Sequence, residues 1–233
     1  MTAFDDIWSA TDRIPGWLTA EQARLLWDLA TELPRGAIAL EIGSHQGRST
    51  VVLGEAVRGN GGRLIAVDPF VEGRLFGGTS TRDKFESNVA RAGLTDVVEL
   101  VPEYSTRLRH TWTRDIDLLY IDGKHDFWTV SDDLRWSEHL RDRGAVLVHD
   151  AYSSIGVTLG ILLRVLPSMS LRYERREGSL ALFRKGRPTA ADRARILAQI
   201  PWWIRNVFIK VLLRLRLRPV ARFLGHDSPY DPY

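Results

Sequence analysis

Short apolar runs alternate with amphipathic stretches along most of the chain, and this alternation predicts strands followed by helices. The first strand is predicted over residues 37–42, which hold no polar residue before Glu41, as expected for a strand covered on both faces. Four further apolar runs predict strands over residues 63–67, 97–101, 116–121 and 144–148. A repeated β/α alternation favours a mostly parallel sheet with helices on both sides.

The helices between these strands have start and stop signals of their own. Thr19 and Gln22 have the spacing of a capping box and predict a helix that ends near residue 33, before Pro34. Later helices are predicted over residues 49–57, 81–91, 127–141 and 153–166. Residues 171–174 and 179–184 predict an antiparallel pair at the end of the sheet.

Composition and charge narrow the class of protein. The chain has 233 residues with 44% apolar and 26% charged residues, as in an ordinary globular domain with appendages. It contains no cysteine, which excludes disulfides, a thiolate nucleophile and a cysteine-ligated zinc site. The N-terminus lacks a signal-peptide pattern and no 18 consecutive residues are apolar, so we expect a cytoplasmic protein without a spanning helix.

The segment after the first predicted strand carries the first candidate ligand site. Gly43 and Gly47 are expected to bracket a tight turn that leads into a helix, and such a turn presents free backbone N–H groups to a ligand. Glu41 would repel a pyrophosphate but suits a ligand with an ammonium group and hydroxyls. The glycine spacing also differs from that of dinucleotide sites. S-adenosylmethionine therefore fits this turn better than NAD.

The ordered motifs resemble those of a known family. Glu-Ile-Gly-Ser-x-x-Gly-x-Ser-Thr at residues 41–50, with Ala-Val-Asp-Pro at 66–69, resembles the class I S-adenosylmethionine-dependent methyltransferases. Residues 120–125 and 148–150 are similar to the branch with the macrocin-type sugar O-methyltransferases and the cephalosporin-hydroxylase-like proteins (methyltransferase family 24). The resemblance implies an α/β, Rossmann-like doubly wound sheet, mostly parallel with an antiparallel closing strand.

The resemblance also implies a donor site at the ends of the strands. Asp68 ends the second strand and is expected to hydrogen-bond both ribose hydroxyls, with a turn cap as the alternative. Ser105 is kept from the Gly-Asp-Ser segment that relatives often place along adenine and ribose, whereas Glu103 and Tyr104 replace its other two residues. The implied donor-binding residues are Glu41, Gly43, Ser44, Gly47, Ser49, Asp68, Ser105 and Asp122.

The chemistry is predicted at the ends of the two strands that neighbour the first. Asp122, His125, His149 and Asp150 lie there, and deprotonating an alcohol is easier when a divalent cation stabilises the oxygen. The resemblance implies that Asp122 binds magnesium and that His125 is the base. Relatives usually have two acids after the next strand; here these positions are His149 and Asp150, so one acid is replaced by an imidazole. We therefore predict Asp122, His149 and Asp150 as ligands of Mg²⁺, or of Mn²⁺ because imidazole is present. A base role for His149, a metal-free base, and simple capping and packing are the alternatives.

The C-terminal residues form a basic tail. Residues 184–233 carry a net charge of +8 and the rest of the chain −5. Pro201 is predicted to separate two helices, and the second has cations every four residues opposite an apolar face: Lys210, Arg214, Arg218 and Arg222 opposite Val207, Phe208, Val211, Leu212 and Leu215. This pattern predicts peripheral membrane contact through residues 201–222. Packing in a homodimer and binding of an acidic or glycan partner are the alternatives, and the acidic body argues against nucleic acid.

These predictions combine into one expected organisation. Residues 1–35 form an N-terminal helical segment, 36–186 an S-adenosylmethionine-binding methyltransferase domain, and 187–233 a helical basic tail. The expected reaction is methylation of a hydroxyl on a sugar, oligosaccharide or glycosylated natural product. The loop at 69–80 is either a lid or a mobile connection. The alternative functions are a metal-independent small-molecule methyltransferase, an NAD-linked oxidoreductase, and a non-catalytic binding protein recruited to the inner face of a membrane.

Overall fold

The computed structural model describes residues 3–73 and 77–227, so residues 74–76 of the predicted lid lie outside the described residues. The strands are β1 Ile38–Ile42, β2 Arg63–Val67, β3 Val98–Val101, β4 Ile116–Ile121, β5 Leu140–Val148, β6 Leu171–Glu177 and β7 Leu180–Lys185. They form one sheet in the order β3-β2-β1-β4-β5-β7-β6. The first five strands are parallel, and β7 pairs antiparallel with both β5 and β6, as predicted.

Helices cover both faces of the sheet. They are α1 Ala3–Thr11, α2 Ala20–Thr31, α3 Arg48–Arg58, α4 Thr79–Arg91, α5 Ser105–Leu108, α6 Phe127–Asp133, α7 Ile155–Gly160, α8 Ala190–Leu197, α9 Ile200–Arg214 and α10 Arg218–Phe223. One core lies under α1 to α4, and a second core on the other face is covered by α6, α7 and α8. A strand order that places β1 between β2 and β4 puts the ligand-binding crevice at the carboxyl ends of β1 and β4.

Backbone pairing continues one residue past the strand ends and aligns the residues predicted to be functional. The N–H of Asp122 donates to the carbonyl of Ile42 (2.8 Å), and the N–H of His149 donates to the carbonyl of Ile121 (2.9 Å). The first residues beyond β4 and β5 therefore lie in register beside the turn that follows β1.

The predicted helix over residues 127–141 is wrong in its second half. Helix α6 ends at Asp133, a 3₁₀ turn spans Leu134–His139, and β5 begins at Leu140, four residues earlier than predicted. The extension exists because Leu140 pairs with Ile116 across an irregular register. This pairing between distant parts of the chain has no local sequence signal.

The basic tail is not one continuous amphipathic helix. Helix α9 ends at Arg214, Arg216 has φ of 60°, and α10 begins at Arg218. The predicted row of cations is therefore divided between two helices, which pack through Ile209, Leu212 and Ala221. We call α9 and α10 together the C-terminal hairpin.

One helical stretch meets the length and composition expected of a membrane span. Residues Ala190–Arg214 pass this test, and 22% of the residues in their most apolar window are buried. The expectation of no spanning helix was based only on uninterrupted runs of apolar residues. An 18-residue window with up to two charged residues is also apolar enough to cross a membrane. A single helix of this kind is weak evidence for spanning, because helices of soluble proteins meet the same test.

Candidate active site

The turn after β1 requires glycine for two different reasons. Gly43 has φ of 90°, and a Cβ atom there would lie 2.3 Å from the carbonyl oxygen of Asp122. Gly47 has φ of 89°, and its Cβ would lie 3.2 Å from the ring of Phe85 on α4. The absence of a side chain thus lets the β1 turn lie directly against the end of β4.

Glu41 links β1 to the first turn of α3. Its carboxyl group is fully buried and accepts hydrogen bonds from the hydroxyls of Ser49 and Thr50. Burial raises the pKa of Glu41 to about 7, because the hydroxyl partners, including nearby Ser44, do not offset the loss of solvent. Glu41 therefore fixes the shape of the turn, and the predicted donor contacts of Glu41, Ser44 and Ser49 stay predictions.

Asp68 closes the same turn from β2. One of its carboxylate oxygens accepts the N–H of His45 (3.0 Å) and the other accepts the N–H of Phe70 (2.9 Å). Burial raises the pKa of Asp68 despite these hydrogen bonds. The turn-capping alternative is thus present in the structure, and the predicted ribose contact stays a prediction.

Ser105 contacts a carboxyl group that the sequence analysis did not assign. Its hydroxyl donates to Oδ1 of Asp133 (2.6 Å), which lies on α6 and is fully buried. Burial raises the pKa of Asp133 to about 7. Among the described residues, Oδ2 of Asp133 has no hydrogen-bond partner, and a Cβ on Gly123 would lie 3.6 Å from it. Asp133 therefore lies beneath the loop that follows β4, beside the predicted adenine region.

The four residues predicted to carry the chemistry form one contiguous cluster. His125 Nδ1 lies 2.9 Å from Asp150 Oδ2, and His125 Nε2 lies 3.6 Å from Asp122 Oδ1. His149 Nδ1 lies 3.2 Å from Asp122 Oδ1 and 3.6 Å from Asp150 Oδ1. We call Asp122, His125, His149 and Asp150 the Asp–His cluster.

Charge pairing determines the protonation of the Asp–His cluster. Burial opposes ionisation of all four groups, but their mutual attraction outweighs it. The pKa values of Asp122 and Asp150 are lowered by the two imidazoles. The same interactions raise the pKa of His125 to about 10 and also raise that of His149. Without a further cation, both carboxyls are ionised and the imidazole of His125 is protonated at neutral pH.

His149 is held in one orientation from the far side of the cluster. Its Nε2 lies 3.2 Å from Oε1 of Gln22, an oxygen that also accepts the N–H of Thr19 (3.1 Å). Because Nε2 of Gln22 donates to Ser179, the amide oxygen faces the imidazole, so Nε2 of His149 carries a proton. Its Nδ1 faces the two carboxylates. The predicted capping box of Thr19 and Gln22 is confirmed, but its contact with His149 was not predicted.

The two histidines differ in their access to solvent. The side chain of His149 is 1% exposed, whereas that of His125 is 42% exposed. The carboxylates between them are positioned by neighbours: Tyr120 donates its hydroxyl to Asp122 Oδ2 (2.9 Å), and Ser153 donates to Asp150 Oδ1 (3.1 Å). A bound acceptor could therefore reach His125 and not His149.

The predicted metal ligands fit a divalent cation in their chemistry. Carboxylate oxygens of Asp122 and Asp150 lie on either side of His149 Nδ1, which has no aligned hydrogen-bond partner within the described ranges 3–73 and 77–227. Two carboxylates and one imidazole suit Mg²⁺ or Mn²⁺. In the part of the chain that the structure describes, however, no group of three or more such side chains has the arrangement of a metal centre as it stands. The metal therefore stays a prediction.

The side chains of α6 and the turn after it differ in their exposure. Trp128 is 77% exposed at the start of α6, whereas Trp136 is buried. Asp132 pairs with buried Arg109 (3.1 Å), and Asp133 is buried as described above.

One surface cavity lies away from the Asp–His cluster. It has a volume of about 530 Å³ and is bordered by Ile14 before α2, by Gln46 in the β1 turn, and by Lys84 and Asn88 on α4. It touches the predicted donor turn through Gln46 alone. We therefore assign the chemistry from the residues at the strand ends and not from this cavity.

Comparison with known proteins agrees with this arrangement. Residues 40–151, just under half of the chain, match the family model of a methyltransferase domain, Methyltransf_24. The O-methyltransferase TomG from Streptomyces achromogenes, solved with S-adenosylmethionine, is 20% identical over 79% of this chain and 90% of its own, with a TM-score of 0.57. The O-methyltransferase from Bacillus cereus, solved with S-adenosylhomocysteine, is 20% identical over 78% of this chain and 90% of its own, with a TM-score of 0.56.

A fungal protein extends the same similarity. The methyltransferase PaMTH1 of Podospora anserina, solved with S-adenosylhomocysteine, is 14% identical over 80% of this chain and 88% of its own, with a TM-score of 0.62. At these identities the solved structures establish the fold, and the family match covers the segment with the donor turn and the Asp–His cluster. The chain therefore has the fold of these methyltransferases, and its residues 40–151 are similar to the methyltransferase domain of the family model, in agreement with the resemblance seen in the sequence.

Proposed function

We propose that the protein is an S-adenosylmethionine-dependent O-methyltransferase that acts on a hydroxyl of a sugar, oligosaccharide or glycosylated natural product. The observation that carries this proposal is the Asp–His cluster at the ends of β4 and β5, beside the glycine turn of β1. A cluster of buried acids and bases with shifted pKa values is typical of a catalytic site.

His125 is the proposed base. Asp150 Oδ2 accepts the Nδ1–H of His125 at 2.9 Å, which leaves Nε2 as the nitrogen that can receive a proton from the acceptor. In the proposed step, the acceptor oxygen bonds to the methyl carbon of the donor while the carbon–sulfur bond breaks. The bonding electrons go to sulfur, which becomes a neutral thioether, and the hydroxyl proton moves to Nε2.

The pKa of His125 limits this step. A pKa of about 10 keeps the imidazole protonated at neutral pH, because Asp122 and Asp150 both face it. A divalent cation held by Asp122, Asp150 and His149 would stabilise negative charge on the acceptor oxygen and offset the carboxylate charges that hold the proton on His125. This effect on the base supports metal assistance as part of the proposal.

The acceptor class rests on the aromatic residues beside His125. Trp128 is exposed and packs edge-to-face against Phe127, with 5.0 Å between ring centroids. Asp126 caps α6 by accepting the N–H groups of Trp128 and Thr129, both at 3.1 Å, which fixes the start of the helix. An exposed indole in a fixed position suits stacking on the apolar face of a sugar ring.

A metal-independent methyltransferase is the second candidate. The observation in its favour is that the four side chains of the Asp–His cluster balance one another's charge without a cation. In that case, the pKa of about 10 would place the activity maximum at alkaline pH, where His125 loses its proton. A metal-assisted enzyme would work at a lower pH.

One assay distinguishes these candidates. The purified protein is incubated with S-adenosylmethionine carrying a labelled methyl group and a panel of glycosides, in EDTA, in Mg²⁺ and in Mn²⁺, and methyl ethers are identified by mass spectrometry. We expect product only with a divalent cation near neutral pH. Equal product in EDTA at alkaline pH would favour the metal-independent enzyme. If no acceptor is methylated under any condition, the proposed function is wrong, and calorimetry with S-adenosylhomocysteine and NAD then tests the donor assignment itself.

A further inference from the structure

The C-terminal hairpin presents large apolar side chains to solvent. Seven of them are between 43% and 88% exposed, on adjacent parts of α9 and α10 and the turn between them: Ile204, Phe208, Val211, Leu215, Leu217, Val220 and Phe223. From Ile204 through α9 to Leu215, just after its end, these residues recur at intervals of four, three and four, so they share one face of the helix. A contiguous apolar surface of this kind marks an interaction site.

The charge of the same segment has one sign. Residues 200–223, which make up the hairpin, contain six Lys or Arg residues and no Asp or Glu. Arg214, Arg216, Arg218 and Arg222 are all exposed beside the apolar side chains. A partner that fits this surface must therefore combine an apolar interior with a negatively charged boundary.

The hairpin is fixed to the methyltransferase domain by its opposite face. Trp202 and Trp203 pack against the second core, and the guanidinium of Arg176 lies 3.9 Å from the centre of the Trp202 ring. Asn206 is fully buried and donates to the carbonyl of Tyr152 (3.2 Å). A spanning arrangement of α9 would break these contacts, so the hairpin is built to lie beside the domain.

We propose that the C-terminal hairpin binds the surface of a membrane that contains anionic lipids, with its apolar side chains among the acyl chains and its arginines at the headgroups. A symmetric dimer through this surface would set the cations of one hairpin against the identical cations of the other, which opposes association. A soluble polyanion would leave the apolar side chains exposed. A homodimer of this chain would therefore need another surface.

The attachment places the bilayer near the chemistry. The carbonyl that holds Asn206 belongs to Tyr152, two residues after Asp150 of the Asp–His cluster. Binding of the hairpin would therefore hold the candidate active site close to the lipid surface. The membrane contact itself does not depend on the proposed reaction, since it rests on the hairpin alone.

The test is co-sedimentation of the full-length protein with vesicles of phosphatidylcholine, with and without phosphatidylglycerol, at low and high salt. We expect binding only to the anionic vesicles and release at high salt. Phe208→Ser with Phe223→Ser, and separately Arg218→Glu with Arg222→Glu, should each weaken binding by at least about 10-fold. The control Arg82→Glu with Arg91→Glu makes the same charge change on α4, on the other face of the sheet, and should bind normally.

Four results would overturn the proposal. The first two are equal binding to neutral and anionic vesicles, and no binding to either. The third is retention on vesicles through alkaline carbonate extraction, as for a spanning helix. The fourth is an arginine variant that no longer binds while the phenylalanine variant binds normally. A concentration-dependent dimer that disappears in the phenylalanine variant would instead assign the surface to a second copy of the chain. Circular dichroism of each variant confirms that the hairpin is folded.

Discussion

Two pairs of buried carboxyl groups near the carboxyl edge of the sheet have opposite pKa shifts. The pKa values of Glu41 and Asp133 are raised to about 7, because burial outweighs their hydrogen bonds from serine and threonine hydroxyls. Asp122 and Asp150 are ionised, because two imidazoles outweigh a similar burial. The kind of partner, and not the depth, decides the charge of a buried acid at this edge.

This difference divides the site into two halves with separate tasks. The half around Glu41 is held by hydroxyl and backbone hydrogen bonds, and it shapes the turn at which we expect the donor to bind. The half around Asp122 is held by ion pairs, and it contains the groups that can accept a proton. Changes in the second half should alter catalysis, and changes in the first should alter stability and donor binding.

The largest expected effect on turnover comes from a change in the half of the site around Asp122. Asp122→Ala removes a carboxylate that faces both histidines. Loss of a general base lowers turnover by about 10²–10⁴-fold, and we expect a larger decrease for this variant. Affinity for S-adenosylhomocysteine, measured by calorimetry, should change little. Asp122→Asn, which can keep the hydrogen bond from Tyr120, serves as the variant that stays folded. Loss of donor binding with either change would mean that the division of tasks is wrong.

Replacement of the proposed base should have the next largest effect. His125→Gln should lower kcat by about 10²–10⁴-fold. It should also lower the free energy of unfolding at neutral pH, because the protonated ring pairs with Asp122 and with buried Asp150. His110→Gln is the matched control, since His110 is exposed and lies outside the cluster. If the activity of both variants equals that of the wild type, His125 is not the base.

The half of the site around Glu41 should affect the pH dependence of the free energy of unfolding. A pKa of about 7 for Glu41 in the folded state, against 4.5 as the ordinary value, means that folding binds the proton. Stability associated with this proton is present below pH 4.5 and is lost as pH rises towards 7, by about 3 kcal/mol. Glu41→Gln should therefore match the wild type in urea unfolding at pH 5 and exceed it at pH 8.

The control for this experiment is Glu21→Gln, which changes an exposed residue on α2. It should leave the difference in the free energy of unfolding between pH 5 and pH 8 as in the wild type. A Glu41→Gln variant that is less stable than the wild type at pH 8 would show that the carboxylate is ionised and stabilising, which would remove the contrast between the two halves.

The smallest effect is expected at the rim of the half around Asp122. Trp128→Ala should raise KM for a glycoside acceptor about 5-fold, the equivalent of about 1 kcal/mol of aromatic stacking, with kcat nearly unchanged. Steady-state kinetics against a glycoside and a non-sugar alcohol give the comparison. An equal change for both acceptors would remove the support for a sugar.

The sequence carried enough information for the sheet and for the composition of the cluster. The strands over residues 63–67 and 116–121 agree with β2 and β4 at both ends, because short apolar runs bounded by turns have few other structures. Asp122, His125, His149 and Asp150 were expected to meet because the carboxyl ends of neighbouring parallel strands share one edge, and the structure brings them within hydrogen-bond or ion-pair distance.

What could not be predicted depends on contacts between distant segments. Gln22 reaches His149 across 127 positions, and its local pattern indicated only a helix cap. Asp133 belongs to an Asp-Asp pair that is typical of a solvated helix face, and its burial follows from the position of Ser105. The reversal at Arg216 has no glycine or proline at the turning residue, so periodicity alone suggested one long helix.

The central claim is that the donor's sulfur faces the Asp–His cluster. A crystal structure of the protein with S-adenosylhomocysteine tests it most directly. The account predicts that the sulfur atom lies at the ends of β1 and β4 and is directed at His125, with the glycine turn of residues 43–47 against the ligand. A ligand bound elsewhere, or a sulfur atom directed away from Asp122, His125, His149 and Asp150, would contradict it.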